Sequence, residues 1–220
     1  MLAPSWSTKI EVAGIHDARQ IKPPEIEFWF DFGSTYSYPA AMRIEEIATT
    51  HGVTVVWRAF LLGPIFQSQG WQDSPFNLYP AKGRYMWADM QRICRENELE
   101  FSRPSDFPRN GLLTARIACA YDSADWIAEF IRRVFTANFA LDLDIADPEV
   151  ITACLELLDQ DPIAVMDTAT TSNTKLKLRE RTTTAQDQGL FGAPSFIANG
   201  ELFWGNERLG HALAHATQAP

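Results

Sequence analysis

The two ends of this chain are patterned as strands, whereas the long segment between them is patterned as helices. Residues 26–32 are apolar at almost every position, which is typical of a strand buried on both faces. Residues 37–50 place alanine and isoleucine at helical spacing with charges between them, and the β-branched run 53–58 predicts a second strand. A strand, a helix and a strand of these lengths form a βαβ unit, with parallel strands and a right-handed crossover.

The carboxyl-terminal end predicts a hairpin followed by a helix. Ser195–Ala198 and Glu201–Trp204 are short apolar runs. They are joined by Asn199 and Gly200, and Asn-Gly is the strongest short hairpin signal in a sequence. A last short helix is predicted over about 206–217.

The middle of the chain predicts a long loop and then a series of helices. Residues 60–80 are rich in glycine, proline and aromatic residues, which favours a loop. Asp147 before Pro148 predicts a helix start, whereas Asp161-Pro162 is interpreted as a turn between helices. The predicted helices cover 82–97, 111–121, 124–138, 148–158 and 174–188.

This order predicts an α/β thioredoxin-like fold with an all-helical insertion domain. The thioredoxin-like domain is expected to combine residues 25–58 with residues 189–220. The helical insertion domain is expected over 59–188, and residues 1–24 are expected to form a flexible extension.

Composition excludes several classes of function. The 220 residues carry 28 acidic and 19 basic side chains, a net charge of −9, which argues against nucleic-acid binding. No run approaches the roughly 20 apolar residues of a membrane span, and residues 1–24 lack the apolar core of a secretory signal. Cys94, Cys119 and Cys154 are too far apart for a metal or redox motif and are expected to be small buried residues. We therefore expect a cytoplasmic protein with no metal site and no membrane partner.

Ser34 and Ser37 follow the first strand and lead into the first helix, and they have the spacing of a redox cysteine pair. A strand-to-helix turn presents free backbone N–H groups and the helix dipole, which favour an anion such as a thiolate. With serine there, the protein has no sulfur of its own, but the Ser34 hydroxyl can donate a hydrogen bond to the sulfur of a bound thiol. The alternative is that either serine simply caps the helix.

Two further motifs lie near the second end of the chain. Ala193-Pro194 predicts a tight turn whose backbone faces the serine turn and can pair with an extended peptide, the alternative being an ordinary proline turn. After the hairpin, Gly205 permits close backbone approach and Asn206 is expected to cap the last helix. The helix end suits a carboxylate, and Asn206 with Glu207 can accept from an ammonium group, the alternative being a capped helix alone.

Together these motifs resemble the 2-hydroxychromene-2-carboxylate isomerases and the kappa-class glutathione transferases, in the DsbA-like branch of thioredoxin folds. The resemblance spans about residues 26–217. The segments that carry it are 30–38, 60–63, 80–86, 192–194 and 203–208.

The resemblance implies glutathione as the cofactor and assigns residues to it. Ser34 would hydrogen-bond the sulfur as the catalytic residue, and Lys82 would bind the glycyl or substrate carboxylate. The remaining glutathione-binding residues would be Ala193 and Pro194 at the cysteinyl backbone, and Gly205, Asn206 and Glu207 at the γ-glutamyl end. Glu207 departs from the family, which usually has Asp or Ser there.

Arg109 and Asn110 lie in a segment that resembles the substrate side of the family, and Trp71 is a further candidate for contact with an aromatic substrate. Trp71 also departs from the family, which often has a glutathione-binding Asn near this position.

The implied activity is glutathione-dependent cis–trans isomerisation of 2-hydroxychromene-2-carboxylate or a similar aromatic carboxylate, in aromatic catabolism. The alternatives are a kappa-like glutathione transferase or peroxidase, and a non-catalytic thiol-binding protein built on a redox fold. The resemblance also implies a homodimer.

Overall fold

The computed structural model describes residues 23–218, and within them a four-stranded sheet. Its strands are β1 (Glu25–Phe30), β2 (Thr54–Ala59), β3 (Ser195–Ala198) and β4 (Glu201–Trp204). Their order in the sheet is β2-β1-β3-β4, with β1 parallel to β2 and both β1–β3 and β3–β4 antiparallel. This arrangement confirms the predicted βαβ unit and hairpin.

Strand β1 lies inside the sheet, and both of its faces are covered. Phe28 and Phe30 are fully buried in the main core, where Phe28 stacks on Phe196 of β3 with ring centroids 5.4 Å apart. Trp29 points to the opposite face and packs edge-on against Phe60 at 5.9 Å. The continuous apolar run of the sequence is therefore explained by burial on two sides.

The helices are α1 (Ser37–Thr50), α2 (Leu62–Ser68), α3 (Pro75–Leu78), α4 (Pro80–Glu96), α5 (Leu112–Ala120), α6 (Ile127–Phe139), α7 (Pro148–Glu156), α8 (Pro162–Thr170), α9 (Ser172–Asp187) and α10 (Leu209–Ala216), with a 3-10 turn at Asn206–Arg208.

The first elements match the prediction, apart from the end of β1. Helix α1 has the predicted bounds, and Gly52 follows it with φ +65°, a left-handed conformation that glycine adopts without strain. Strand β1 ends at Phe30, two residues earlier than predicted. The reason is that the Asp31 side chain accepts a hydrogen bond from Gly33 N at 2.7 Å and so begins the turn.

The predicted loop over 60–80 is wrong in part, because α2 and α3 form there. Helix α8 was also missed. Its N-cap is Asp161, whose carboxylate accepts from Ile163 N at 3.0 Å, and Pro162 is the first helical residue. This is the same arrangement that Asp147 makes at the start of α7, so the interpretation of Asp161-Pro162 as a turn overlooked a helix start.

The helical segment and the sheet share one hydrophobic core. Phe135 of α6 packs on Phe30 of β1 with ring centroids 5.9 Å apart, and Tyr38 of α1 stacks on Phe139 at 5.7 Å. The division into residues 25–58 with 189–220 and an insertion over 59–188 stays a prediction. Residues 1–22 of the predicted extension lie outside the described residues.

The three cysteines are buried and unpaired, as expected. Burial raises the pKa of the Cys94 thiol to about 11, which suits an inert core residue rather than a reactive one. Between residues 23 and 218, no helix is long and apolar enough to cross a membrane, and no group of three or more His, Cys, Asp or Glu side chains could hold a metal ion.

The close packing of α3 on α4 depends on the absence of a side chain at Gly83. A Cβ atom there would collide with the backbone oxygen of Phe76, which cannot move without shifting α3. We therefore expect Gly83→Ala to lower the free energy of unfolding by about 1–3 kcal/mol, the usual cost of overpacking.

Urea unfolding measures this effect, with Gly210→Ala of α10 as the matched control. A Cβ at Gly210 meets no atom within 4 Å. The control should raise the free energy of unfolding by up to about 1 kcal/mol through helix propensity. Equal stabilisation by both substitutions would contradict the packing argument.

Candidate functional site

A large cavity of about 1400 Å³ opens where the serine turn, the Ala193-Pro194 turn and the helical segment meet. It is lined by all ten residues that the sequence analysis proposed for the site. These are Ser34, Trp71, Lys82, Arg109, Asn110, Ala193, Pro194, Gly205, Asn206 and Glu207. The structure therefore brings them together, although the role of each stays a prediction.

Ser34 joins the two halves of the thioredoxin unit. Its Oγ donates a hydrogen bond of 2.8 Å to the carbonyl oxygen of Ala193, 159 residues away in sequence. The Ala193–Pro194 peptide bond is cis. Ser34 therefore does not cap helix α1, whose N-cap residue is Tyr36 and has no side-chain cap. Because a hydroxyl has a single proton, Ser34 can donate to another group only after it releases Ala193.

The turn around Ser34 also supplies donors that have no acceptor within residues 23–218. The backbone N–H groups of Thr35 and Tyr36 make no hydrogen bond there, and neither does the buried hydroxyl of Thr35. Thr35 and Tyr36 line the cavity at the amino end of α1, where the helix dipole favours negative charge. The arrangement can stabilise an anion beside Ser34.

Ser37 differs from Ser34 in its surroundings. It is fully buried, does not line the cavity, and its Oγ has no hydrogen-bond partner among the described residues. The two serines are thus not equivalent. Ser34 lies at the cavity wall, whereas Ser37 belongs to the interior of the first turn of α1.

Asp31 was missed by the sequence analysis, although it precedes the serine turn directly. Its carboxylate accepts from Gly33 N at 2.7 Å and from Leu62 N at 2.8 Å, and so ties the turn to the start of α2. Burial raises the pKa of Asp31, while these two backbone hydrogen bonds oppose the rise. An acidic residue inside an apolar run was the signal that could have identified it.

The Asn206 side chain is oriented by Arg43 of α1. Arg43 Nη2 donates to Asn206 Oδ1 at 2.6 Å, and its other donors bind Asn97 Oδ1 and the Pro39 carbonyl oxygen. Since a guanidinium only donates, the accepting atom must be the amide oxygen. The Asn206 nitrogen makes no hydrogen bond among the described residues and can donate to a carboxylate, and the expected contact of Asn206 with an ammonium group stays a prediction.

The expected helix cap at Asn206 is wrong, because Asn206 is itself the first residue of the 3-10 turn, whose N-cap position is Gly205. No side chain caps either the 3-10 turn or α10. Glu207 is exposed, and its carboxylate lies against Gly205. A Cβ atom at Gly205 would be only 2.7 Å from the carboxylate oxygens of Glu207. At this end of the cavity Glu207 can accept from an ammonium group.

The two predicted cations have different surroundings. Arg109 is buried, donates to both oxygens of Asn138 at 3.1 Å, and forms an ion pair with Asp142. Its guanidinium therefore holds the cavity wall together. Lys82 is exposed, and its Nζ lies 4.8 Å from the centre of the Tyr79 ring without an ion pair in the described chain. Lys82 is accordingly the cation available to a ligand.

The other two candidates on the substrate side line the cavity as well. The side-chain oxygen of Asn110 accepts from Leu112 N at 3.0 Å, which starts helix α5. Trp71 packs on Phe66 with ring centroids 5.6 Å apart. Their position fits contact with an aromatic molecule, but their hydrogen bonds and packing are already accounted for by the fold.

A family model described as a DSBA-like thioredoxin domain matches residues 25–217. The chain belongs to the DSBA-like thioredoxin family. This membership confirms the fold predicted from the sequence.

Relatives of this DSBA-like protein carry the two family names that its motifs resemble. It is 25% identical to a 2-hydroxychromene-2-carboxylate isomerase of Sphingobium xenophagum, over 84% of this chain and 93% of that protein. It is 23% identical to glutathione S-transferase kappa 1 of Homo sapiens, over 88% of this chain and 90% of that protein. The solved structure of a 2-hydroxychromene-2-carboxylate isomerase matches it with a TM-score of 0.75 and 24% identity, covering 85% and 91% of the two chains. The DSBA-like chain thus groups with isomerases and transferases.

We expect Asp31→Asn to lower the free energy of unfolding by about 1–3 kcal/mol, because an amide has one accepting oxygen and leaves a buried N–H group unsatisfied. The effect should depend on pH. Folding raises the pKa of Asp31 above its ordinary value of 3.8. The wild type therefore loses stability as the pH rises from 3.8 through the pKa that Asp31 has in the folded protein. The difference between wild type and variant is therefore largest below pH 3.8 and smaller near neutrality.

Urea unfolding over a pH series measures this difference. The control is Asp187→Asn, an exposed residue at the end of α9. Its substitution should change stability by less than about 0.5 kcal/mol. A pH-independent difference for Asp31→Asn would contradict the raised pKa.

Proposed function

We propose that this DSBA-like protein is a glutathione-dependent cis–trans isomerase that acts on 2-hydroxychromene-2-carboxylate or a similar aromatic carboxylate. The observation that carries the proposal is the position of the Ser34 hydroxyl. It lies at the cavity wall, bonded to the backbone oxygen of Ala193 and next to the unbonded N–H groups of Thr35 and Tyr36.

The residues present fit the charged groups of glutathione. The Asn206 nitrogen can donate to the γ-glutamyl carboxylate, and the Glu207 carboxylate can accept from the neighbouring ammonium group. Lys82 is available to the glycyl carboxylate. The donors of the serine turn fit the sulfur as a thiolate.

Bound glutathione supplies a thiolate for reversible addition to a conjugated carbon, which converts a double bond into one that can rotate. The protein stabilises the negative charge on sulfur through Ser34 and the turn N–H groups. A hydrogen bond to a charged group contributes about 1.5–3 kcal/mol, equivalent to a thiol pKa lowered by roughly 1–2 units.

Ser34 has to change partner to do this. A peptide N–H that binds the Ala193 carbonyl oxygen satisfies this oxygen without Ser34, so the serine hydroxyl can turn and donate its proton to the sulfur. The cysteinyl residue of glutathione carries such an N–H group, which supports the proposal that Ala193 pairs with the cysteinyl backbone.

The aromatic walls support an aromatic substrate. Trp71 and Phe66 lie together on one side of the cavity, and Phe107 with Trp87 behind it lies on another, with ring centroids 4.9 Å apart. Lys82 is the exposed cation among the described residues that line this cavity, and it can bind either the glycyl carboxylate of glutathione or the carboxylate of the substrate. Transfer of glutathione to an electrophile is the second candidate, favoured by the relative named as a kappa-class transferase. A cytoplasmic location and a homodimer stay predictions.

We expect glutathione to raise the melting temperature of the wild type, because a ligand at 100 times its Kd stabilises a protein by about 2.7 kcal/mol. Ser34→Ala should raise the pKa of the bound thiol by roughly 1–2 units. Ultraviolet difference absorbance of the thiolate over a pH series measures this shift.

Ser37→Ala is the matched control, since it removes a buried hydroxyl that has no partner in the described chain and does not line the cavity. It should leave the thiolate pKa unchanged. A thiolate signal equally strong in Ser34→Ala would contradict the role of Ser34. If the wild type shows neither a thermal shift nor a thiolate signal, both enzyme functions are contradicted, and the hypothesis of a non-catalytic protein is favoured.

A substrate panel separates isomerase from transferase. We expect turnover of the chromene carboxylate that requires catalytic glutathione and leaves the thiol concentration unchanged. The measurement combines substrate absorbance with thiol titration. Stoichiometric loss of thiol with a neutral aromatic electrophile, and no turnover of the carboxylate, would instead establish the transferase.

A further inference from the structure

Helix α9 carries two pairs of cations that the structure treats differently. Lys177 and Arg181 lie one turn apart and both form ion pairs with Asp122, Lys177 at 3.2 Å. Burial opposes ionisation of Asp122, but hydrogen bonds from Arg181 and Lys177 outweigh it and lower its pKa. This pair shows how positive charge on α9 is compensated within the fold.

The second pair, Lys175 and Arg179, lies one turn apart on the opposite side of α9 and forms no ion pair within residues 23–218. Together with Arg116 of α5, it lines a second cavity of about 280 Å³. No Asp or Glu of the described chain lines that cavity. Like charges one turn apart repel each other, so the fold retains an uncompensated cluster here.

Arg116 adds a separate observation. Its Nε is buried and has no hydrogen-bond partner among the described residues, and the side chain as a whole is only half-buried. A buried donor without an acceptor is unfavourable. The guanidinium as a whole forms no hydrogen bond or ion pair with the described residues, so its Nη groups remain free to bind a carboxylate or phosphate.

The cluster does not follow from composition, because the chain has 28 acidic and 19 basic residues. A concave surface lined by one sign of charge concentrates its field and attracts the opposite ion. The floor of the cavity is apolar and includes Leu61, Pro64 and Leu112, which also line the large cavity.

We propose that the Arg116, Lys175 and Arg179 cavity binds a small, multiply charged oxyanion, the phosphate or polycarboxylate group of a small molecule. The site is distinct from the large cavity in its lining cations, and it does not depend on glutathione. Since the two cavities share a wall, the anion would lie behind the segment that leads into α2.

The test is titration of the protein with pyrophosphate and, separately, with citrate at constant ionic strength. Binding is measured by calorimetry and by the shift in melting temperature. We expect saturable binding of one anion per chain. Tighter binding of pyrophosphate would identify a phosphate group, and tighter binding of citrate a polycarboxylate. Shifts no larger than those caused by sodium chloride at the same ionic strength would overturn the proposal.

Three variants place the anion. Arg116→Gln and Arg179→Gln should each weaken binding by about tenfold or more, because each removes a charge-assisted hydrogen bond. Arg95→Gln makes the same change of charge on the exposed end of α4, outside both cavities, and should leave binding unchanged.

Lys82→Gln tests whether the anion binds in the large cavity instead. Binding that survives Lys82→Gln supports the second cavity, and binding that is lost there overturns the proposal. Circular dichroism establishes that each variant is folded. If Arg116→Gln does not fold, Arg116→Lys keeps the charge without the fork and should bind the anion more weakly than wild type.

Discussion

Burial of β1 on both faces is the constraint on which the rest of the molecule depends. The strand pairs with β2 from one end of the chain and with β3 from the other, so residues far apart in sequence must converge on it. Its aromatic side chains need cover on two sides, and α6 provides part of it through Phe135. Because the cavity lies where β1 ends, the same burial that stabilises the sheet also places the serine turn opposite the Ala193-Pro194 turn.

The helical segment completes the site rather than merely enclosing it. Arg109 donates to Asn138 and forms an ion pair with Asp142. Asn138 of α6 in turn donates to the carbonyl oxygen of Phe32 at 3.0 Å, which links α6 to the turn that follows β1. The wall of the cavity is thus braced from the helical side by a buried arginine. This bracing holds the helical segment against the turn that follows β1.

Local signals in the sequence predicted most of the elements and the region of the site, whereas long-range partners were beyond its reach. Asn199-Gly200 and Asp147-Pro148 act within a few residues, so their outcome could be predicted. Asp161-Pro162 carried the same helix-start signal and was misread as a turn. The hydrogen bond from Arg43 to Asn206 could not be predicted, because the two residues are 163 apart in sequence and no local pattern indicates that they meet.

Under the proposed function, the hydrogen bond between Ser34 and Ala193 has a consequence for selectivity among thiols. A small thiol without an amide has nothing to offer the Ala193 carbonyl oxygen, so the Ser34 proton stays engaged and the sulfur gains little from the turn. A peptidic thiol brings its own N–H group and thereby frees the serine. Activation of sulfur would then be conditional on recognition of the backbone beside it, and abundant simple thiols would be ignored without any steric barrier against them.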